Sequence, residues 1–174
     1  MNSNSSRTLD LVAVAGLAVG GAFGLTGAVV AQASLRQALW SVDGVGLVVA
    51  TTLLAVRFLK KGRDCIAAGF LVYAIAESVI LSGTPAGLAA SVPSFGGGVA
   101  LWATSLLMTS IPKGFATWIR LVASLAAILF AITAARIFWG EQLTPLSSPL
   151  PFFAYPLLVV TFAGWIWTLV HQDV

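Results

Sequence analysis

Apolar residues run along this chain in six long, unbroken stretches, each bounded by a charge, a proline or a glycine. Across a hydrocarbon core about 30 Å thick, at a helical rise of about 1.5 Å per residue, one span needs about 20 such residues. The pattern predicts spans near 11–33, 38–59, 65–82, 95–111, 118–139 and 152–170. Breaks fall at Gln37, Lys60 to Asp64, Thr84 to Ser94, Pro112 to Gly114 and Gly140 to Pro151. The runs are continuous and rich in Ala, Leu and Gly, unlike the short alternating segments of a membrane barrel. The predicted fold is all-α: a single polytopic transmembrane helix bundle of six spans over residues 1–174.

Composition removes the soluble alternative. The chain is 59% hydrophobic and 9% charged, with a mean hydropathy of +0.98, where an ordinary soluble domain carries about 25% charged residues. Nine Lys or Arg and six Asp or Glu cannot coat a folded domain of this size, so the lipid bilayer is the expected partner of most of its surface. Disorder is excluded by the same numbers. One Cys and one His rule out a disulfide framework, a CxxC site and paired-imidazole haem, and neither a cofactor nor a metal site is expected.

Charge then orients the bundle. Arg7, Arg57, Lys60, Lys61, Arg63, Lys113 and Arg120 fall on one side, against Arg36 and Arg136 on the other, so the positive-inside rule predicts both termini in the cytoplasm. Trp118, Trp165 and Trp167 at inner ends, and Trp40 and Trp139 at outer ends, read as interfacial anchors; Trp102 alone sits deeper. The net charge of +3 follows from this topology, and nothing points to nucleic acid. The Ala, Gly, Val and Leu bias is that of small bacterial inner-membrane proteins, which sets the expected location. Ala31-Gln32-Ala33 fits a signal-peptidase site, but the preceding apolar stretch exceeds the usual h-region of about 7–15 residues and follows Asp10, so retention of the first span is expected.

Two outer connections are nearly uncharged and rich in Pro and Gly. Thr84 to Pro93 reads as a short helical piece opened by Pro85 and stopped by Pro93, forming an interfacial cap or, alternatively, a re-entrant segment. Pro145, Pro149, Pro151 and Pro156 stiffen the other connection into a second cap. In the first span, Gly16, Gly20, Gly24 and Ala28 recur every four residues and form a small-residue face. Such a face lets two helix backbones approach closely, either within the chain or at a homo-oligomer seam or partner membrane protein.

Asp43 and Glu77 lie well inside the second and third spans at similar depth on either side of the Lys61 turn. Tyr73 precedes Glu77 by one helical turn on the same face. Arg136, with Thr133 beneath it, reaches a comparable level in the fifth span and is the expected counter-ion. Ionisable groups inside a membrane face the protein interior, paired or in a water-filled cavity. Asp43, Tyr73, Glu77, Thr133 and Arg136 therefore define an expected outward-facing polar cluster that binds or passes a small solute, a proton or a cation. The alternative is a cluster that only orders helices, in a non-catalytic membrane subunit or assembly protein packing through its glycine face. Catalysis is not expected: His171 lies at the cytoplasmic tail, far from any buried Ser, every Lys lies in an inner connection, and Gly96-Gly97-Gly98 lacks the Lys of a phosphate loop.

Overall fold

The structure is a computed structural model that describes residues 3–171. Six helices form: α1 (Ser3–Val29), α2 (Ala33–Lys60), α3 (Asp64–Gly83), α4 (Val92–Ser110), α5 (Thr117–Phe138) and α6 (Ala154–His171), with a single 3-10 turn at Thr84–Ala86. No strand occurs among the described residues. Each helix packs on its neighbours in sequence and α6 packs back on α1, which closes the six into a ring. α1, α2, α3, α5 and α6 are long and apolar enough to cross a membrane, so the chain is an integral membrane protein.

α4 departs from the expected equality of six spans. It is about as long as α6, but Gly96 to Gly98, Ser105, Thr109 and Ser110 lower its hydropathy. Eleven of its nineteen residues are buried between α3 and α5, so its polar and small side chains meet protein and not lipid. Gly98 sits against Ile80 and the Ala76 carbonyl, where an added Cβ would lie 3.1 Å from that oxygen. With little hydrophobic drive between helices in lipid, such close packing holds the bundle together.

Three boundaries differ from expectation, each for a visible reason. α2 begins at Ala33 and not after Gln37, because Arg36 in its first turn folds back to donate hydrogen bonds to the Val30 and Ala31 carbonyls that end α1. Pro93 opens α4 at its first turn instead of stopping the preceding piece, where a missing N–H costs nothing. That piece is only the Thr84–Ala86 turn, reversed at Gly87 with φ +85°. Arg120 repeats the Arg36 device, donating to the Ser110 and Ile111 carbonyls that end α4. Arg57, one of the inner-end cations, forms an ion pair with Asp10 on α1.

The ring is filled by aromatic side chains. Phe58 stacks on Phe70 (5.5 Å between centroids), Phe70 meets Trp165 edge-on (4.8 Å), and Tyr73 bridges Trp165 (6.2 Å) to Trp102 (6.0 Å). Trp165 is therefore a core residue and not an interfacial anchor, whereas Trp139, Trp118 and Trp167 are exposed as anchors should be.

Candidate functional site

The small-residue face of α1 decides how the site is built. Gly16 faces the Gly46 carbonyl and Ala50 of α2, Gly20 faces Leu47 and the Asp43 carboxyl, and Gly24 faces Asp43 together with the Tyr155 hydroxyl. The expected close-packing face is thus occupied inside the chain, which removes the seam it offered to another copy or partner. Ala28, one turn further, is half-buried and lines the cavity described next.

On the axis of the ring, towards the end formed by the 30–32, 84–91 and 139–153 connections, lies a cavity of about 290 Å³. All six helices reach it, through Gly24, Asp43, Glu77, Trp102, Phe130 and Tyr155 in order from α1 to α6. Asp43 is 5% exposed and Glu77 3%, so both carboxyls are buried despite facing the cavity. They are close enough to interact electrostatically. Tyr155 donates its hydroxyl hydrogen to Asp43 Oδ2 at 3.2 Å, and Trp102 donates its indole N–H to Glu77 Oε1 at 3.1 Å. Asp43 Oδ1 is buried with no hydrogen-bond partner, and the Tyr73 hydroxyl lies beside the Glu77 carboxyl without a well-formed bond.

The expected cluster is brought together in part. Asp43, Glu77 and Tyr73 converge; Thr133 and Arg136 do not join them. Thr133 is fully buried, but its hydroxyl bonds the Leu129 carbonyl of its own helix. Arg136 is not the counter-ion: its Nε and Nη2 reach Glu141 at 2.9 and 2.6 Å on the exposed surface. The chain turns back at Gly140 (φ +99°), placing Glu141 over the last turn of α5, where its N–H also bonds the Arg136 carbonyl. The guanidinium hydrogen bonds hold the Glu141 carboxyl below its ordinary range.

Trp102, Tyr155, Arg36 and Trp40 belong to the cavity and were not expected there. Trp102 carried the one usable signal, since a Trp far from both interfaces needs a partner for its N–H. Arg36 is the only cation among the cavity-lining residues. It sits 5.9 Å over the Trp40 ring with its N–H groups already on the α1 carbonyls. Neither carboxyl is ion-paired among the described residues. The described residues hold no group of three or more His, Cys, Asp or Glu suited to a metal ion. No family model matches the chain, and no curated protein or solved structure matches it.

Proposed function

We propose that the chain is a non-enzymatic, multi-pass membrane protein that binds a small solute, a proton or a cation on the Asp43–Glu77 pair, as part of a pathway from the outer face. One observation carries this reading: two buried carboxyls share the base of a cavity and neither has a cation partner among the described residues. Unpaired buried carboxylates are costly, and in a membrane such groups mark binding sites and proton or ion routes. A cluster kept only to order helices is better served by an internal ion pair, yet Arg136 is turned away to Glu141 and Arg36 is engaged by the Val30 and Ala31 carbonyls.

By the positive-inside rule, the end bearing Lys60, Lys61, Arg63 and Lys113 faces the cytoplasm, so the cavity opens outward and both termini lie inside. The Ala, Gly, Val and Leu bias supports a bacterial inner membrane as its location. On a Cys65→Ser background, Lys61→Cys should resist an impermeant outer thiol reagent while the exposed Ala90→Cys reacts with it. The reverse pattern overturns the orientation. For the site, Glu77→Gln should keep the bundle folded and abolish proton- or cation-dependent flux in proteoliposomes. A folded variant with wild-type flux refutes the role of the pair.

A further inference from the structure

We infer that the basic end of the bundle, at the α2–α3 turn (61–63) and the α4–α5 connection (111–116), holds the headgroup phosphate of an anionic phospholipid. This end lies opposite the cavity, so the inference stands apart from the binding-site reading above. Two connections meet there. The Arg63 guanidinium lies against the α4–α5 connection, where a Cβ added at Gly114 would sit 3.3 Å from its Nη1. The preceding residue, Lys113, is exposed. Lys61 is close enough to Arg57 and Arg63 to feel both charges. Desolvation first, and then those two cations, hold its ammonium below the usual lysine range, against the smaller opposing pull of Asp10.

These charges are not balanced inside the protein. Arg57 is paired with Asp10, and Arg120 is engaged by the Ser110 and Ile111 carbonyls. Lys61, Arg63 and Lys113 make no ion pair among the described residues, and neither does Asp64, the acid next to the α2–α3 turn. A group of cations left over at the rim of membrane helices attracts the anionic headgroups beside it. The apolar neighbours decide between a lipid and a dissolved anion. Leu59 is 61% exposed and Ile111 70%, at the ends of α2 and α4 that lead into the two connections, and Trp118 is exposed in the first turn of α5. Bare apolar side chains next to the cations suit a molecule that carries acyl chains behind its phosphate, and an indole at that level suits the headgroup boundary. A free phosphate or an acidic peptide gains nothing from them.

The test is native mass spectrometry of the full chain in detergent, titrated with phosphatidylglycerol and phosphatidylcholine of identical acyl chains, and separately with glycerol phosphate. Phosphatidylglycerol should bind tighter than phosphatidylcholine by about tenfold or more, because the cations repel choline, and glycerol phosphate should bind weaker than either lipid. Lys61→Gln and Lys113→Gln should each cut the preference for phosphatidylglycerol by about fivefold. Both lysines are exposed, so the variants disturb no packing. Arg136→Gln, at the other end of the bundle, should leave the preference unchanged. Equal binding of the two lipids by the wild type overturns the inference and needs no variant. Glycerol phosphate binding as tightly as phosphatidylglycerol overturns the lipid assignment in favour of a free phosphate. A preference that survives Lys61→Gln and Lys113→Gln combined, or that Arg136→Gln lowers as much, overturns the placement of the site.

Discussion

Two glycines five residues apart on α1 should respond in opposite ways to the same substitution. A Cβ added at Gly16 would lie 2.5 Å from the Gly46 carbonyl oxygen and 2.9 Å from Ala50 Cβ. The oxygen is backbone, so the strain is relieved only by moving α1 away from α2. At Gly21 the nearest atom is Val159 Cγ1 at 3.3 Å, the tip of a side chain that can yield. In both cases Gly→Ala gains about 1 kcal/mol of helix propensity. Overpacking against a rigid partner costs about 1–3 kcal/mol, and the Gly16 contact belongs at the top of that range. Gly16→Ala should therefore lose about 2 kcal/mol net, while Gly21→Ala falls between no change and a gain of about 1 kcal/mol. For a chain of this length that is a Tm lower by about 4–8 °C for Gly16→Ala. Thermal unfolding of both variants in one detergent reads the difference. A Gly16→Ala protein melting at or above wild type, or a Gly21→Ala protein falling as far, would refute the backbone-contact argument.

Trp102→Phe removes the indole donor to Glu77 while keeping an aromatic ring against Phe130 and Tyr73. A double-mutant cycle with Glu77→Leu, which removes the acceptor, should give a coupling of about 0.6–1.7 kcal/mol, the range of interhelical hydrogen bonds in membranes, and zero coupling means the bond is not formed. Arg36→Gln uncaps the α1 carbonyls and should destabilise by about 1 kcal/mol, read as a lower melting temperature, with no loss meaning that the guanidinium does not cap that end. Arg136→Gln should leave the melting temperature unchanged, because its pair with Glu141 lies on the exposed surface. By NMR the Glu141 carboxyl should titrate below its ordinary value in wild type and return to it in Arg136→Gln. A depressed carboxylate adds its stabilisation above the unfolded-state value and loses it as pH falls through the folded one. An Arg136→Gln protein that melts well below wild type at neutral pH would show that the pair matters to the fold.

The spans were legible because membrane thickness leaves so little freedom: a run of about 20 apolar residues has few folds open to it. Helix ends were less legible, since they depend on which side chain satisfies the terminal carbonyls. Gln37 looked like a break only because polarity was read without Arg36, whose position one turn into α2 lets it cap α1. In the site, Asp43, Tyr73 and Glu77 were readable from depth in a hairpin whose turn was known. Tyr155 was not, because its contact with Asp43 crosses 112 positions and depends on α6 closing the ring onto α1. Arg136 misled for the converse reason. Depth along a helix says nothing about the direction a side chain faces, and Gly140 brings Glu141 within reach on the outside.

The aromatic filling of the ring bears on whether a bound solute goes further. Below the carboxyls the axis is occupied by Tyr73, Trp165 and Phe70, all buried, with Trp165 in ring contact with both of the others, continuing to Phe58 at the basic end. A ligand on Asp43 and Glu77 therefore has one way out in this conformation. Passage to the other side requires Tyr73 and Trp165 to separate, and these rings sit on α3 and α6, helices that meet across the ring through their aromatic side chains. A shift of α6 against α2 and α3 would also move Tyr155 from Asp43, so the bond that closes the base of the cavity and the rings that block the axis would change together. Binding without translocation needs no such shift. Steady flux and simple saturable binding thus make opposite demands on one pair of helices: cross-linking α3 to α6 should stop the former and spare the latter.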